Sequence, residues 1–290
     1  MSYKFTKMHS LGNDFVLFDG VTENIRITEQ AAGMIANRRF GIGCDQVLVV
    51  EPRDNHENGF RLRIFNSDGS EAGQCGNGAR CLARFLYDRE LTRDSNIEVI
   101  TNTTTVHLEL NEDNSVTAGM GCPQFAPEKI PLRSPRQELT YTVNTELGEF
   151  EFSALSIGNP HCILQVDSVT EAEVHRIGPL LECHELFPQR ANIGFSQVVS
   201  ENEINLRVYE RGAGETLGCG SGACAAAVAG MRIGLLENEV RVNLPGGSLD
   251  VRWQGGNHQV YQRGPVTTVF RGTIDFQGLK PGEFRYFSGV

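Results

Sequence analysis

Residues 62–79 read LRIFNSDGSEAGQCGNGA, and residues 206–223 read LRVYERGAGETLGCGSGA. Both stretches end in a cysteine followed by Gly-x-Gly-Ala, and they lie about 144 residues apart in a chain of 290. A Gly-Asn step at residues 12–13 and 158–159 and an Ile-Gly step at residues 42–43 and 193–194 keep nearly the same spacing. Two copies are too few for a repeat array, so the duplication predicts two pseudo-symmetric domains.

Each copy contains short β-rich runs bounded by turn residues and a strongly apolar helical segment. Helices are predicted over residues 28–38, 78–87, 171–181 and 222–233. The last of these carries ACAAAVA over residues 223–229 and is apolar on every side, which is typical of a buried helix. We therefore predict an α+β (mixed α/β) fold in which each domain is a barrel-like sheet around a central helix. Four prolines over residues 123–135 indicate a connector between the copies.

Cys75 and Cys219 occupy corresponding points, each directly before a predicted helix. A helix N-terminus carries unpaired N–H groups and partial positive charge, so it binds anions and lowers the pKa of a cysteine there. If the two copies face each other, both helix starts would hold one carboxylate, with a sulfur on each face of the neighbouring Cα. That arrangement suits racemisation by a thiolate and a thiol. The alternative for either cysteine is a small buried side chain.

Polar residues near these motifs are candidates for substrate binding. Asn13 and Asn159 share the repeated Gly-Asn step, although asparagine also favours turns on its own account. Glu210 and Arg211 are charged at positions where the first copy has uncharged residues. Arg211 could hold a second carboxylate or form a surface ion pair. His161 could tune a thiol or be structural.

Several functional classes are disfavoured by composition. The net charge of −10 argues against nucleic acid as a partner, and no apolar run approaches the ~18 residues of a membrane span. Eight cysteines without a Cys-x-x-Cys pair predict reduced thiols and no metal site. No signal peptide is evident, so we expect a cytoplasmic protein. The few lysines lie outside glycine-rich contexts, which predicts no cofactor of the pyridoxal type; they are Lys4, Lys7, Lys129 and Lys280.

Seven motifs together resemble the diaminopimelate epimerase family. They are KMHSLGNDF (7–15), FGIGCDQ (40–46), QCGNGAR (74–80), GNPHC (158–162), RANIGF (190–195), RVYERGAGET (207–216) and CGSGACA (219–225). The resemblance implies cofactor-independent interconversion of LL- and meso-2,6-diaminopimelate, in the synthesis of lysine and peptidoglycan precursors. It also implies that the last strand returns to the first domain. The domains would be residues 1–119 with 265–290, and residues 120–264, with the active site in the cleft between them.

The resemblance also implies roles for individual residues. Cys75 would accept the Cα proton in the LL-to-meso direction and Cys219 would donate one, with His161 and Glu210 modulating the thiol pKa values. The reacting carboxylate would be held by Gly76, Asn77, Gly220 and Ser221. The rest of the substrate would be bound by Asn13, Gln46, Asn66, Asn159, Asn192, Glu210 and Arg211. A homodimer is implied as well, with Phe270 at the position of its contact.

Three alternatives remain open from the residues alone. A proline-type racemase would use the same pair of thiols but would leave Arg211 and the asparagines unexplained. A redox switch would form a reversible Cys75–Cys219 disulfide. A non-catalytic binding module would bind its ligand without exchanging the Cα hydrogen.

Overall fold

The structure, a computed structural model, describes residues 2–53, 59–73 and 76–275, and Cys75 therefore lies outside the described residues. The strands of the first half are β1 (Ser2–Ser10), β2 (Asn13–Asp19), β3 (Gln46–Pro52), β4 (Phe60–Asn66), β5 (Glu71–Ala72), β6 (Asn96–Ile100), β7 (Thr105–Leu110) and β8 (Val116–Gly119). Those of the second half are β9 (Tyr141–Thr145), β10 (Gly148–Ser156), β11 (Pro160–Gln165), β12 (Asn192–Ser200), β13 (Glu203–Glu210), β14 (Gly214–Thr216), β15 (Glu239–Leu244), β16 (Gly247–Arg252) and β17 (Tyr261–Gly264), before β18 (Thr267–Asp275). The helices are α1 (Glu29–Ala36), α2 (Gly76–Asp88), α3 (Val174–Glu182) and α4 (Gly220–Arg232).

The two halves repeat the same strand pairings. In the first half, β2 pairs parallel with β3, β3 antiparallel with β4, and β4 parallel with β6. In the second half, β11 pairs parallel with β12, β12 antiparallel with β13, and β13 parallel with β15. The antiparallel series β6–β7–β8 likewise corresponds to β15–β16–β17. The duplication in sequence is thus a duplication of topology, and the predicted mixed α/β fold is confirmed.

One antiparallel pairing joins the two halves, and a second returns the chain to its first strand. β8 pairs with β17, with Gly119 opposite Tyr261, which joins the halves in one mixed sheet. β18 pairs with β1, with Asp275 opposite Ser2, so the chain comes back to its first strand. The domain boundaries at residues 119/120 and 264/265 stay a prediction, and residues 276–290 lie outside the described part.

The two long helices are central and the two short ones peripheral. α2 packs against β1, β7 and β8, and α4 against β10, β11, β12 and β16. Every residue over 223–229 in α4 is at most 2% exposed, as its sequence predicts. Side chains of both long helices share the largest apolar core, whereas α1 and α3 contribute to two smaller clusters outside it. The segment that carries Cys219 is therefore positioned by a deeply buried helix.

The four helices begin one to three residues away from their predicted first residues. α2 and α4 begin two residues earlier than predicted, because the first turn of a helix has N–H groups without partners in the helix and tolerates glycine. α3 begins three residues later than predicted, at Val174. In α1 the hydroxyl of Thr28 accepts a hydrogen bond from the backbone of Ala31, which sets its start at Glu29.

The proline-rich segment over residues 123–135 is packed against the second half. Gln124 forms an isolated bridge with Ser156, and a 3₁₀ turn follows over Pro127–Lys129. Ile130 and Leu132 are buried in the same apolar cluster as strands of the second half. The connector thus has a defined path along the protein.

Candidate active site

A cleft of about 1840 Å³ is lined by residues of both halves. Two predicted site residues, His161 and Asn192, lie outside its lining and are buried, with 0% and 2% of their surfaces exposed. Cys75 is outside the described residues, so its placement stays a prediction. The other predicted site residues all line this cleft: Asn13, Gln46, Asn66, Gly76, Asn77, Asn159, Glu210, Arg211, Cys219, Gly220 and Ser221.

The first residues of α2 and α4 meet at the floor of the cleft. A Cβ atom added at Gly76 would lie 2.8 Å from Nε2 of Gln262, and one added at Gly220 would lie 3.0 Å from Oε1 of the same side chain. The Cβ at Gly220 would also lie 3.1 Å from Oδ1 of Asn77, in the first turn of α2. A side chain at either point would displace the end of Gln262, and at Gly220 also that of Asn77, so glycine allows the close packing seen here. Two sets of helix N–H groups are therefore available to one anion.

Cys219 is the N-cap residue of α4 and is 4% exposed. Its sulfur lies 3.7 Å from Oγ of Ser221 and accepts from the backbone N–H of Gly222. Both contacts stabilise a thiolate. The sequence predicts a lowered pKa here, and that prediction is wrong for Cys219. Burial, followed by the charge of Glu210, raises the pKa of the thiol well above its ordinary value and keeps it protonated.

Glu210, at the end of β13, is the acceptor for that thiol. Its carboxylate accepts hydrogen bonds from the Cys219 thiol and from the hydroxyl of Thr216. Burial raises the pKa of Glu210, and the nearby Asp45 carboxylate adds to the effect. Cys219 thus has donors for its thiolate form on one side and an acceptor for its thiol form on the other.

His161 is fully buried on β11 behind the cleft wall. Its Nε2 donates to Oδ1 of Asn159 over 3.0 Å, since an amide oxygen only accepts, and Nδ1 has no partner among the described residues. Burial, and secondarily the charge of Arg211, lowers the pKa of His161 to about 3. The ring is neutral at physiological pH, and the contact that the structure gives it orients Asn159.

The amide side chains of the first half lie in two hydrogen-bonded groups along the cleft. Nδ2 of Asn13 donates to the Asp45 carboxylate over 2.9 Å, and its Oδ1 accepts from Asn77 over 3.2 Å. Nearby, Nε2 of Gln46 donates to Oδ1 of Asn66 over 3.0 Å. These contacts fix the direction in which each amide faces the cleft, since donor and acceptor ends differ.

Asn192 positions Arg211 at the cleft mouth. Its Nδ2 donates to the carbonyl of Pro160 and its Oδ1 accepts from the backbone N–H of Arg211, both over 3.0 Å. The Arg211 guanidinium donates to the carbonyl of Gln189 over 3.1 Å. Arg211 makes no ion pair within the described residues, so its charge is available to a ligand. Arg211 thus does not form the surface ion pair considered from the sequence.

Three residues of the site were missed in the sequence. Asp45 holds Asn13, Thr216 holds Glu210, and Gln262 lies between the two helix starts. The repeat offered a signal for Thr216, because the corresponding residue of the first copy is Ala72, which cannot donate a hydrogen bond. Gln262 lies on β17, far from any glycine-rich motif, and the sequence gives no signal for it.

No cluster of three or more histidine, cysteine or acidic side chains in the described ranges is placed to hold a metal ion. Across the same ranges, every helix is too short or too polar to cross a membrane.

Comparison with solved structures shows the same fold at low sequence identity. A hydroxyproline epimerase from Agrobacterium vitis with bound trans-4-hydroxy-L-proline matches with a TM-score of 0.67 at 14% identity, over 96% of this chain and 94% of that chain. A probable proline racemase from Agrobacterium radiobacter with bound carbonate matches with a TM-score of 0.68 at 12% identity, over 94% and 93%. A phenazine biosynthesis protein of the PhzF family from Enterococcus faecalis gives 0.65 at 12% identity, over 95% and 100%.

The sequence itself matches one family model, that of diaminopimelate epimerase, over residues 5–126 and 153–269. The matched ranges include the Cys75 and Cys219 motifs and every predicted site residue. Since they cover most of the chain, the protein belongs to the diaminopimelate epimerase family and is an amino-acid epimerase or isomerase of this fold.

Proposed function

We propose that this protein interconverts LL- and meso-2,6-diaminopimelate without a cofactor, using Cys75 and Cys219 as the two proton-transferring groups. The observation that carries the proposal is the meeting of two helix starts at one cleft, with the Cys219 thiol at one of them. The other helix, α2, begins directly after Cys75 in the sequence. The family match supports an amino-acid epimerase, and diaminopimelate is the substrate that we propose for it.

The reacting carboxylate is held by backbone N–H groups at the two helix starts, from Gly76, Asn77, Gly220 and Ser221. These donors stabilise the negative charge that develops when the Cα proton leaves. In the LL-to-meso direction, the Cys75 thiolate takes the proton and the bonding electron pair stays on the carbanion. The Cys219 thiol then gives its proton to the opposite face, leaving a Cys219 thiolate and a Cys75 thiol.

The surroundings of Cys219 fit the donor role in this direction. Its raised pKa keeps the proton on sulfur until the carbanion forms, and Glu210 accepts the thiol hydrogen bond. Once the proton has moved, the Gly222 N–H and the Ser221 hydroxyl stabilise the thiolate. In the reverse direction the thiolate of Cys219 is the base, and the neighbouring carboxylate increases its basicity.

The distal end of the substrate carries a second carboxylate and a second ammonium group. The Arg211 guanidinium, which has no ion-pair partner among the described residues, binds the carboxylate. Carbonyl and carboxylate oxygens around it bind the ammonium, Asn66 and Asn159 in the cleft lining fix the chirality that is accepted, and Asn192 positions Arg211. A proline-like substrate has no distal charges and would leave Arg211 without a role, which favours diaminopimelate over the proline-type alternative.

The assembly and location of the protein are part of the same proposal. We propose a homodimer formed through β18, on which Val269 and Phe270 are 53% and 47% exposed. We also propose a cytoplasmic location, which suits an enzyme that needs reduced thiols. The described cysteines, which do not include Cys75, are all free.

The test is exchange and inversion at Cα in D₂O, followed by NMR and chiral chromatography. LL-diaminopimelate, L-proline and trans-4-hydroxy-L-proline are offered separately to the wild type, to Cys219→Ser and to Cys75→Ser. We expect inversion of LL-diaminopimelate alone, and its loss in both variants. Inversion of a proline substrate instead would support the proline-type alternative. Binding without exchange would indicate a binding module, and a reversible Cys75–Cys219 disulfide without turnover would indicate a redox switch.

A further inference from the structure

The side chain of Asn77 is committed to contacts within the protein. It is 5% exposed, in the first turn of α2. Its Nδ2 donates to the carbonyl of Gly218 over 3.0 Å and to Oδ1 of Asn13 over 3.2 Å, and its Oδ1 accepts from Nη2 of Arg80 over 2.6 Å. Both N–H groups and the oxygen are thus occupied. A ligand at the helix start meets the backbone of Asn77 and not its amide.

The bond from Asn77 to Gly218 connects the two copies of the repeat. Its ends are 141 residues apart in sequence, and Gly218 is the residue directly before Cys219. A Cβ at Gly218 would lie 2.7 Å from Cβ of Leu11, so this peptide is also pressed against the first copy. The Asn77 bridge, meaning its hydrogen bonds to Gly218 and Asn13, therefore relates the start of α2 to the peptide that carries the Cys219 thiol.

Arg80 fixes the direction of the bridge. Its guanidinium only donates, so the oxygen of Asn77 must face it and the NH₂ group must face Gly218. Arg80 is fully buried and also donates from Nη2 to Oγ of Ser10 over 2.8 Å. Ser10 in turn donates to the carbonyl of Pro265 over 2.9 Å, in the segment that returns the chain to the first copy. The bridge rests on buried, charge-assisted contacts.

The residues that form the bridge differ between the two copies. The residue that corresponds to Asn77 is Ser221, whose hydroxyl lies near its own Cys219 thiol, and the residue that corresponds to Arg80 is Cys224. The amide of Asn77 and the guanidinium of Arg80 that orients it are thus particular to the first copy.

We propose that the Asn77 side chain is a positioning residue that sets the separation of the two helix starts, and through it the balance between inversion and simple proton exchange. This inference rests on the proposed two-thiol epimerase function. Removal of a Cα proton needs one correctly placed sulfur, whereas inversion needs a second group aligned on the opposite face of the same carbon. A displacement of one helix start by about 1 Å can lower a rate about 100-fold. Such a displacement affects inversion more than exchange.

The test compares Asn77→Ala and Asn77→Ser, which keep the backbone N–H, with Ser10→Ala and with the control Leu86→Val. Leu86 is buried in the same helix and does not contact the bridge. In D₂O with LL-diaminopimelate, we expect kcat for inversion to fall about 10- to 100-fold in the Asn77 variants, with KM changed less than about threefold. Deuterium in recovered LL substrate should rise relative to inverted product. Ser10→Ala should shift the ratio in the same direction by a smaller factor, and Leu86→Val should leave it unchanged.

A second measurement is independent of the substrate. Iodoacetamide is added to the ligand-free protein, and mass spectrometry gives the rate of alkylation of Cys219 relative to that of buried Cys224. This ratio should be about tenfold higher in Asn77→Ser and unchanged in Leu86→Val. If the wild type inverts no amino acid, the proposed function fails, and the ratio of Cys219 to Cys224 alkylation alone tests whether Asn77 positions the helix start. An unchanged exchange-to-inversion ratio with only a lower melting temperature would overturn the inference, as would a large rise in KM alone or an unchanged alkylation ratio.

Discussion

Glu210→Gln removes the charge that faces the Cys219 thiol while keeping the size of the side chain and an acceptor for Thr216. The thiol donates to this carboxylate, so the two groups lie within hydrogen-bond reach. Two unit charges about 4 Å apart interact by about 4 kcal/mol at an effective dielectric constant of about 20, and one pKa unit corresponds to about 1.4 kcal/mol. Because the charge is lost while the new amide still accepts a hydrogen bond, we expect the pKa of Cys219 to fall.

The assay follows the rate of alkylation of Cys219 as a function of pH, with the modified peptide quantified by mass spectrometry. The midpoint of this profile should move to lower pH in Glu210→Gln. The matched control is Glu203→Gln, which makes the same change at the opposite end of β13, where Glu203 accepts from Asn243 over 2.8 Å. A midpoint that stays in place in Glu210→Gln, or moves to higher pH, would refute the electrostatic account of the site.

The same variant should also change stability in a defined direction. The pKa of Glu210 is raised in the folded protein, so its contribution to stability is fully present below the unfolded pKa and is lost as pH rises through the folded pKa. At neutral pH the ionised carboxylate is destabilising. Glu210→Gln should therefore raise the melting temperature at pH 7, and this advantage should disappear near pH 4. A lower melting temperature at pH 7 would contradict this reasoning.

Three further predictions concern other parts of the cleft. Gly220→Ala should abolish turnover, because its Cβ would lie 3.0 Å from Gln262 and 3.1 Å from Asn77. The same substitution should lower the free energy of unfolding, measured by urea denaturation, by about 1–3 kcal/mol; full activity would rule out the close approach. Arg211→Met should raise KM for diaminopimelate about 10- to 100-fold in steady-state assays through loss of a charged hydrogen bond, and an unchanged KM would exclude the distal-carboxylate role. Burial lowers the pKa of His161 to about 3, so between pH 7 and pH 4 the unfolded wild-type chain binds a proton at this residue that the folded protein does not bind. His161→Phe removes this difference and should lose less stability than the wild type over that range; equal losses in thermal melts would contradict this.

The sequence predicted the parts of the fold that depend on local pattern. The repeated Gly-x-Gly-Ala steps placed the starts of α2 and α4 within two residues, and the all-apolar ACAAAVA segment predicted a buried helix. The duplication predicted that the pairings of β2–β3–β4 would recur in β11–β12–β13. α3 was placed less well, since its predicted first residues, before Val174, form turns instead.

The properties of the site that depend on tertiary contacts could not be predicted in the same way. A helix start lowers the pKa of a cysteine, yet Cys219 lies so deep beside Glu210 that burial and like charge outweigh the helix. Nothing near Asn77 in the sequence indicates that its amide donates to a carbonyl of the other copy. Gln262 was missed because its position between the helix starts arises only when β17 is placed next to both.

The proposed mechanism requires two chemically identical thiols to differ in protonation, and the duplicated fold alone would make them equivalent. The difference must come from positions where the copies diverge, and these positions cluster around the two helix starts. In the second copy they place Glu210 and Ser221 beside Cys219 and Thr216 beside Glu210, and in the first copy they place Asn77 and Arg80 in the cross-copy bridge. The corresponding pairs, first copy before second, are Phe15 and His161, Asn66 and Glu210, Ala72 and Thr216, Asn77 and Ser221, and Arg80 and Cys224. In the proposed mechanism the shared topology brings two thiols to one substrate, and Glu210, which the first copy lacks, raises the pKa of Cys219 and so favours its role as the proton donor.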